Sequence, residues 1–195
     1  MSTREFVRDV VRRPLQMGAV LPSSRWLAEA MVEAAGIRPG ERVLELGAGS
    51  GSFTRAIVER HPGAELIAVE PGAELAEGLR ERFPGVRVAQ LRAEELRVLG
   101  LAPGSIDRVV SGLPWALWSS AVQREILDVV VPLLAPHGRL VTFHYVHSRA
   151  LGRVVPFRGL LRERFARVRH TPPVWANVPP AYLHIAEAPR GRPRA

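Results

Sequence analysis

The chain of 195 residues contains no cysteine and no lysine. Without cysteine, disulfides and thiolate metal sites are excluded. His61, His137, His144, His147, His170 and His184 show no zinc-site spacing, so no metal is expected. No apolar h-region is read near the N-terminus. The longest apolar runs, such as "VVVPLLAP", fall far short of the roughly 20 residues that cross a bilayer. These absences predict a cytoplasmic protein, attached to a membrane peripherally if at all. The missing lysine means that all 27 basic residues are arginine, against 19 acidic ones, for a net charge of +8. Genome composition can replace Lys by Arg, but it does not explain the net charge. A planar guanidinium fork suits phosphate, so the excess points to nucleic acid or an anionic membrane. Hydrophobic and charged contents of 47% and 24% are ordinary for a globular protein.

What is present is an alternation. "REFVRDVVRR" sets Phe6, Val7, Val10 and Val11 on one arc and Arg4, Arg8 and Arg12 on another, as in an amphipathic helix that Pro14 ends or kinks. "LPSSRWLAEAMVEAAG" follows, with Ser23 or Ser24 as N-cap and Gly36 as its stop. Strands "RVLEL", "ELIAVE", "VRVAQ", "DRVVSG" and "GRLVTFHYV" then alternate with helices "SFTRAIVER", "AELAEGLRERF" and "AVQREILDVVVPLL". Helix "GLLRERF" precedes the closing strands "ARVRHT" and "AYLHIAEA". The pattern predicts an α/β fold, a mostly parallel sheet with helices on both faces. The last two strands, joined only by "PPVWANVPP", should pair antiparallel. The expected division is N-terminal helices over 1–36, a cofactor-binding body over 37–188 and a basic, Pro-rich disordered tail over 189–195, in one globular domain overall.

Ligands of such sheets sit beyond the C-terminal ends of the strands. The first strand ends in "ELGAGSGSF", where Gly47, Gly49 and Gly51 let backbone turn tightly and approach a ligand. Ser52 stands where dinucleotide enzymes carry their third glycine. Glu45 precedes the loop and can accept from a cationic amine. Glu70, ending the second strand just before Pro71, can accept both hydroxyls of a ribose. An ammonium and a ribose without a phosphate describe S-adenosylmethionine.

On these residues the chain resembles the class I S-adenosylmethionine-dependent methyltransferases. The resemblance implies a Rossmann-like sheet of seven strands in the order 3-2-1-4-5-7-6, with strand 7 antiparallel. It places Gly47, Gly49 and Gly51 at the methionine end of the cofactor, Glu70 at the ribose, and the Ala93 backbone and Glu94 at the adenine. In "AQLRAEEL", Arg92 stands where the family often has an acid.

The acceptor side begins at "VVSGLPWALW". Base methyltransferases carry N-P-P-Y or N-L-P-Y there, and this chain has Ser111 in place of the amide. "GAVLPSSRWLA", "SGLP", "FHYV" and "VWANVPPA" together resemble bacterial phospholipid N-methyltransferases, which convert phosphatidylethanolamine stepwise to phosphatidylcholine. His144 and Val146 depart from that family's F-T-Y-G. The resemblance implies Tyr145, Ser111 and His144 as candidate catalytic residues. It implies an acceptor pocket of Leu113, Pro114, Trp115, Trp118, Phe143 and Asn177. Aromatic faces suit an amine that gains methyl groups and charge. Strand alternation puts Phe143, Tyr145 and His147 on one face. Arg25, Arg153 or Arg158 could take the lipid phosphate. Arg4, Phe6, Arg8, Val10 and Arg12 fit a helix lying in an anionic membrane interface. Two other readings stay open: an rRNA or tRNA adenine N-methyltransferase, and a cofactor-binding module without transfer.

Overall fold

The computed structural model describes residues 23–151 and 154–190, the side chains of 149–151 excepted. The expected helix carrying Arg4, Phe6, Arg8, Val10 and Arg12, together with Arg153 and the tail beyond 190, lies outside the described residues.

Seven strands make one sheet: β1 (Arg42–Leu46), β2 (Glu65–Val69), β3 (Arg87–Ala89), β4 (Ile106–Ser111), β5 (Leu134–Tyr145), β6 (Phe165–His170) and β7 (Ala181–Pro189). Their order is β3-β2-β1-β4-β5-β7-β6. β1 to β5 are parallel, and β7 runs antiparallel to both β5 and β6. Among the described residues, five α-helices cover the sheet: α1 (Arg25–Ala35), α2 (Ser52–Arg60), α3 (Ala73–Arg82), α4 (Ser120–Val130) and α5 (Val154–Arg164). β1 and β2 are buried on both faces after their first residues, as helices on both sides of a parallel sheet require.

Alternation divides the core. Val43, Ala68, Val110, Val141 and Leu183 pack toward α1 and α2. Leu44, Leu46, Val69, Val109 and Leu140 pack toward α4 and α5, against Ile126, Phe157 and Leu161. A strand residue therefore has its surroundings set by its parity.

The ends of α1 follow side-chain chemistry. The Ser24 hydroxyl accepts from the Leu27 amide at 3.2 Å. Gly36 closes the helix at φ 60°. The buried end carbonyls find cations: Arg139 Nη1 donates to Ala34 O at 2.7 Å and Arg108 Nε to Gly36 O at 3.4 Å. Arg108, 5% exposed, pairs with Glu41 at 2.7 Å, and Arg139 pairs with Glu187 at 2.6 Å. These arginines serve the fold rather than a phosphate. Arg167 and Arg169, also near Glu187, charge the edge strand β6, which guards it against pairing with another sheet.

Two boundaries depart from the sequence expectation. The helix expected to run through "VVVPLL" ends at Val130, because Pro132 has no amide to continue it, and β5 begins at Leu134. The strand expected through Val146 stops at Tyr145, where a 3-10 turn begins. No helix among the described residues is long and apolar enough to cross a membrane.

Candidate active site

The C-terminal ends of β1, β2 and β4 meet at the glycine loop. Gly47, Gly49 and Gly51 have φ of 71°, 54° and 80°, the left-handed region that side chains disfavour. The Gly47 and Ala48 amides donate to Val69 O at 2.9 and 3.1 Å, folding the loop over the end of β2. Arg82 Nη2 donates to Ser50 O at 2.7 Å and clasps the loop from α3. Gly112 supplies the other wall: a Cβ there would stand 2.8 Å from Gly47 O and 3.1 Å from the Phe53 ring. Gly112→Ala should therefore push the loop off its seat, at a cost of about 1–3 kcal/mol. Both the thermal midpoint and cofactor affinity should fall, and a variant that keeps both would show that the two loops are free to separate.

Glu70 is 6% exposed and built into this turn. Its carboxylate accepts from the Gly49 and Gly72 amides, each at 2.8 Å. Each oxygen keeps further lone-pair capacity for a hydroxyl donor. Pro71 leads from it to Gly72, the N-cap of α3. Glu45 is fully buried, its Oε2 accepting from Thr54 Oγ1 at 2.7 Å, while Oε1 has no partner. Burial raises its pKa to about 7. A buried carboxyl with one oxygen unmatched is costly unless a donor completes it. The set fits a ligand with a cationic amine and a vicinal diol. Ala93 is buried at the start of the turn after β3, and Glu94 lies 2.6 Å from Arg92 in an ion pair. Arg92 therefore holds the acid proposed for the adenine.

On the acceptor side, parity separates the candidates. Phe143 and Tyr145 share the face toward α1 and α2. Phe53 meets Phe143 edge-on at 6.1 Å, Phe143 meets Tyr145 at 5.4 Å, and His147 stacks on Tyr145 at 5.5 Å and 9°. These four rings form a ladder leading outward from the glycine loop. Burial raises the Tyr145 pKa, so the phenol keeps its proton.

Ser111, Trp115 and His144 belong elsewhere. The Ser111 hydroxyl accepts from Trp115 Nε1 at 3.0 Å, and its carbonyl accepts from Thr142 Oγ1 at 3.1 Å. Trp115, 1% exposed, lies between Phe157 and Trp118 at 4.7 and 5.9 Å in the opposite core layer. It does not join the ladder. His144, 2% exposed, faces Phe157 and His184 in that same layer, and burial lowers its pKa to about 4. Leu113 touches the glycine loop, where its Cδ2 would stand 2.9 Å from a Cβ on Gly47; Pro114 follows it in the same turn. Asn177 is buried, accepting from the Ser24 amide at 3.2 Å and donating to Pro179 O at 2.6 Å. Arg25 is exposed, lying over Trp26 and 3.5 Å from Glu29. Phe53, Thr54, Arg82 and Gly112 were not among the sequence candidates. The signal available for Phe53 and Thr54 was their place in the first helical turn after the glycine loop. At the opposite ends of the strands, Glu41, Asp107 and His137 bring donor atoms within 4.8 Å of one another. The Arg38 and Arg42 amides and the Arg108 side chain already occupy the carboxylates of that cluster.

A seven-stranded sheet with one reversed strand, a glycine loop and two carboxylates at its C-terminal edge defines a nucleoside-cofactor enzyme fold. Residues 43–138 match the family model described as a methyltransferase domain. The chain is 34% identical over 139 residues to an ornithine lipid N-methyltransferase of Singulisphaera acidiphila, covering 68% of this chain and 72% of that one. It is 34% identical over 132 residues to a ribosomal RNA small subunit methyltransferase A of Thermosynechococcus vestitus, covering 68% of this chain and 49% of that protein. The structure of TrmN from Thermus thermophilus superposes with a TM-score of 0.69 at 20% identity, over 95% of this chain and 53% of that one. The chain belongs to the class I S-adenosylmethionine-dependent methyltransferases. Its cofactor is S-adenosylmethionine, its product S-adenosylhomocysteine, and the class needs no metal.

Proposed function

We propose that the protein transfers methyl groups from S-adenosylmethionine to the amine of phosphatidylethanolamine, toward phosphatidylcholine, as a cytoplasmic enzyme working at an anionic membrane surface. The observation that carries this reading is the ladder of Phe53, Phe143, Tyr145 and His147 beside the glycine loop. Each methylation makes the head group a bulkier, more apolar cation, and aromatic faces hold such a cation by about 0.5–2 kcal/mol per contact. The similarity to an ornithine lipid N-methyltransferase supports an amine on a lipid as acceptor.

The cofactor supplies a methyl group on a sulfonium, open to in-line attack. Glu45 would hold its ammonium, Glu70 its ribose, and the Ala93 backbone with Glu94 its adenine. The chain's contribution is then position: attack needs a neutral amine aligned with the methyl, and alignment supplies much of the rate. Tyr145, whose phenol stays protonated, accepts a hydrogen bond from the amine and aims its lone pair. The proton that the ammonium must lose before it attacks goes to water, which reaches the outer end of the ladder where His147 is exposed. Ser111 takes part only by fixing the turn through Trp115 and Thr142.

Tyr145→Phe should lower kcat for phosphatidylethanolamine by about 10- to 100-fold, the worth of a hydrogen bond to the positive charge that develops on the amine as it attacks. Cofactor affinity should stay within about twofold, because the phenol touches the acceptor alone. Equal losses in both would remove Tyr145 from the acceptor site.

The similarity to a ribosomal RNA methyltransferase favours a second reading, an adenine N-methyltransferase. A planar base amine calls for a donor–acceptor pair at the turn after β4, and the Ser111 hydroxyl there is committed to Trp115. Labelled cofactor offered to phosphatidylethanolamine vesicles and to total RNA separates the readings: label in RNA alone would overturn the first.

A further inference from the structure

Three large apolar side chains stand in solvent near one end of the sheet. Trp26, in the first turn of α1, is 51% exposed; Trp175 and Val178, in the loop between β6 and β7, are 70% and 76% exposed. The loop that carries the latter pair is pinned. Asn177, between them, is 3% exposed. Its amide donates to Val174 O at 3.2 Å, its Oδ1 accepts from the Ser24 amide, and its Nδ2 donates to Pro179 O. The loop is thereby fastened to the N-terminus of α1, two residues before Trp26. It is fastened to the ladder as well. The Val146 amide donates to Pro180 O at 2.8 Å, and Ala181 lies opposite Tyr145 in the sheet. Burying one asparagine to hold two exposed apolar side chains in place is a poor use of a surface loop unless those side chains have a partner.

The chemistry of the patch selects the partner. Tryptophan concentrates at the level of lipid head groups, where its ring is apolar and its N–H stays wet. Arg25, its side chain 75% exposed, holds its guanidinium 5.0 Å from the Trp26 ring, a cation beside the aromatic as an anionic head-group layer favours. The net charge of +8 has the matching sign. We propose that Trp26, Trp175 and Val178 form a membrane-docking surface that enters the head-group layer of an anionic bilayer and brings the aromatic ladder to the lipid amine. The last clause rests on the lipid-acceptor reading above.

The full chain, offered vesicles of phosphatidylglycerol and phosphatidylethanolamine with brominated acyl chains, should show quenched and blue-shifted tryptophan fluorescence. Trp26→Phe with Trp175→Phe should remove most of the quenching, since Trp115 is buried in the core and the half-buried Trp118 packs against it. Trp175→Ser with Val178→Asp should weaken vesicle binding by about tenfold or more. It should leave cofactor affinity and the methylation of dispersed short-chain phosphatidylethanolamine unchanged. Vesicle binding unaltered in that double variant overturns the surface even if lipid methylation persists. A double variant that loses self-association on light scattering, with vesicle binding kept, assigns the patch to a second copy and equally overturns it. Short-chain lipid left unmethylated by the wild type, with the quenching pattern intact, removes the lipid acceptor and keeps the surface.

Discussion

Glu70→Ala is expected to weaken S-adenosylmethionine binding by about 10²- to 10⁴-fold while the protein still folds. Two hydrogen bonds from ribose hydroxyls to an ionised acceptor, at about 1.5–3 kcal/mol each, set that range. The same carboxylate accepts from the Gly49 and Gly72 amides, so its loss also removes one tie of the glycine loop, leaving those of Gly47 and Ala48 to Val69 O. Both effects act on binding. The fold persists because Glu70 lies past the last residue of β2, and its own amide still donates to Ala89 O at 3.1 Å. The two amides lose a charged acceptor, about 1.5–3 kcal/mol each by the same measure, so Tm should fall by roughly 6–20 °C without loss of the fold. Glu70→Gln should fall between, since its amide group sets a donor against one of the two backbone donors. Calorimetry and a thermal melt on the three proteins measure it. Affinity within threefold of wild type in the alanine variant would remove Glu70 from the ribose.

The frame of the molecule is local in its causes, which is why it can be read from sequence. "RVLEL" and "SFTRAIVER" appear as a strand and a helix at the expected residues, because apolar period and flanking glycines decide them. Alternation along "FHYVH" put Phe143, Tyr145 and His147 together, and the rings do touch. What alternation cannot say is which layer lies over each face. His144 and Trp115 enter the far layer because Phe157, on α5, covers it, and α5 is brought there by a chain path through β5. Phe53 joins the ladder only after the glycine loop has reversed the chain. Net charge was legible, but its distribution was not: Arg108 and Arg139 are spent on the end of α1, a contact across 70 residues or more. The bond from Trp115 to Ser111 links the end of β4 to the first residue of a 3-10 turn, four residues apart and outside any α-helix, so no periodicity announces it.

Two buried titrating groups pull the stability of this protein in opposite directions as pH changes. Glu45, with its pKa raised from 4.5 to about 7 chiefly by burial, keeps a proton that the unfolded chain loses. Stability therefore falls as pH rises from 4.5 to 7, by about 3 kcal/mol in all. His144, lowered from 6.5 to about 4 by burial, does the opposite. Between pH 4 and 6.5 the unfolded chain binds a proton that the fold refuses, and stability rises with pH by about as much. Over their shared window the two slopes, each about 1.4 kcal/mol per pH unit, nearly cancel. Single variants should separate them. In Glu45→Gln, Tm should climb from pH 4.5 to 6.5; in His144→Phe it should decline over the same range. Cofactor binding reports on Glu45 alone. A bound ammonium favours the carboxylate, so Glu45 should release close to one proton on binding below pH 7, and affinity should rise about tenfold per pH unit there. Titration calorimetry near pH 6 in two buffers of different ionisation enthalpy counts that proton, and Glu45→Gln should release none. Binding that is flat with pH and releases no proton in the wild type would place the ammonium away from Glu45, leaving Oε1 without the partner its burial demands.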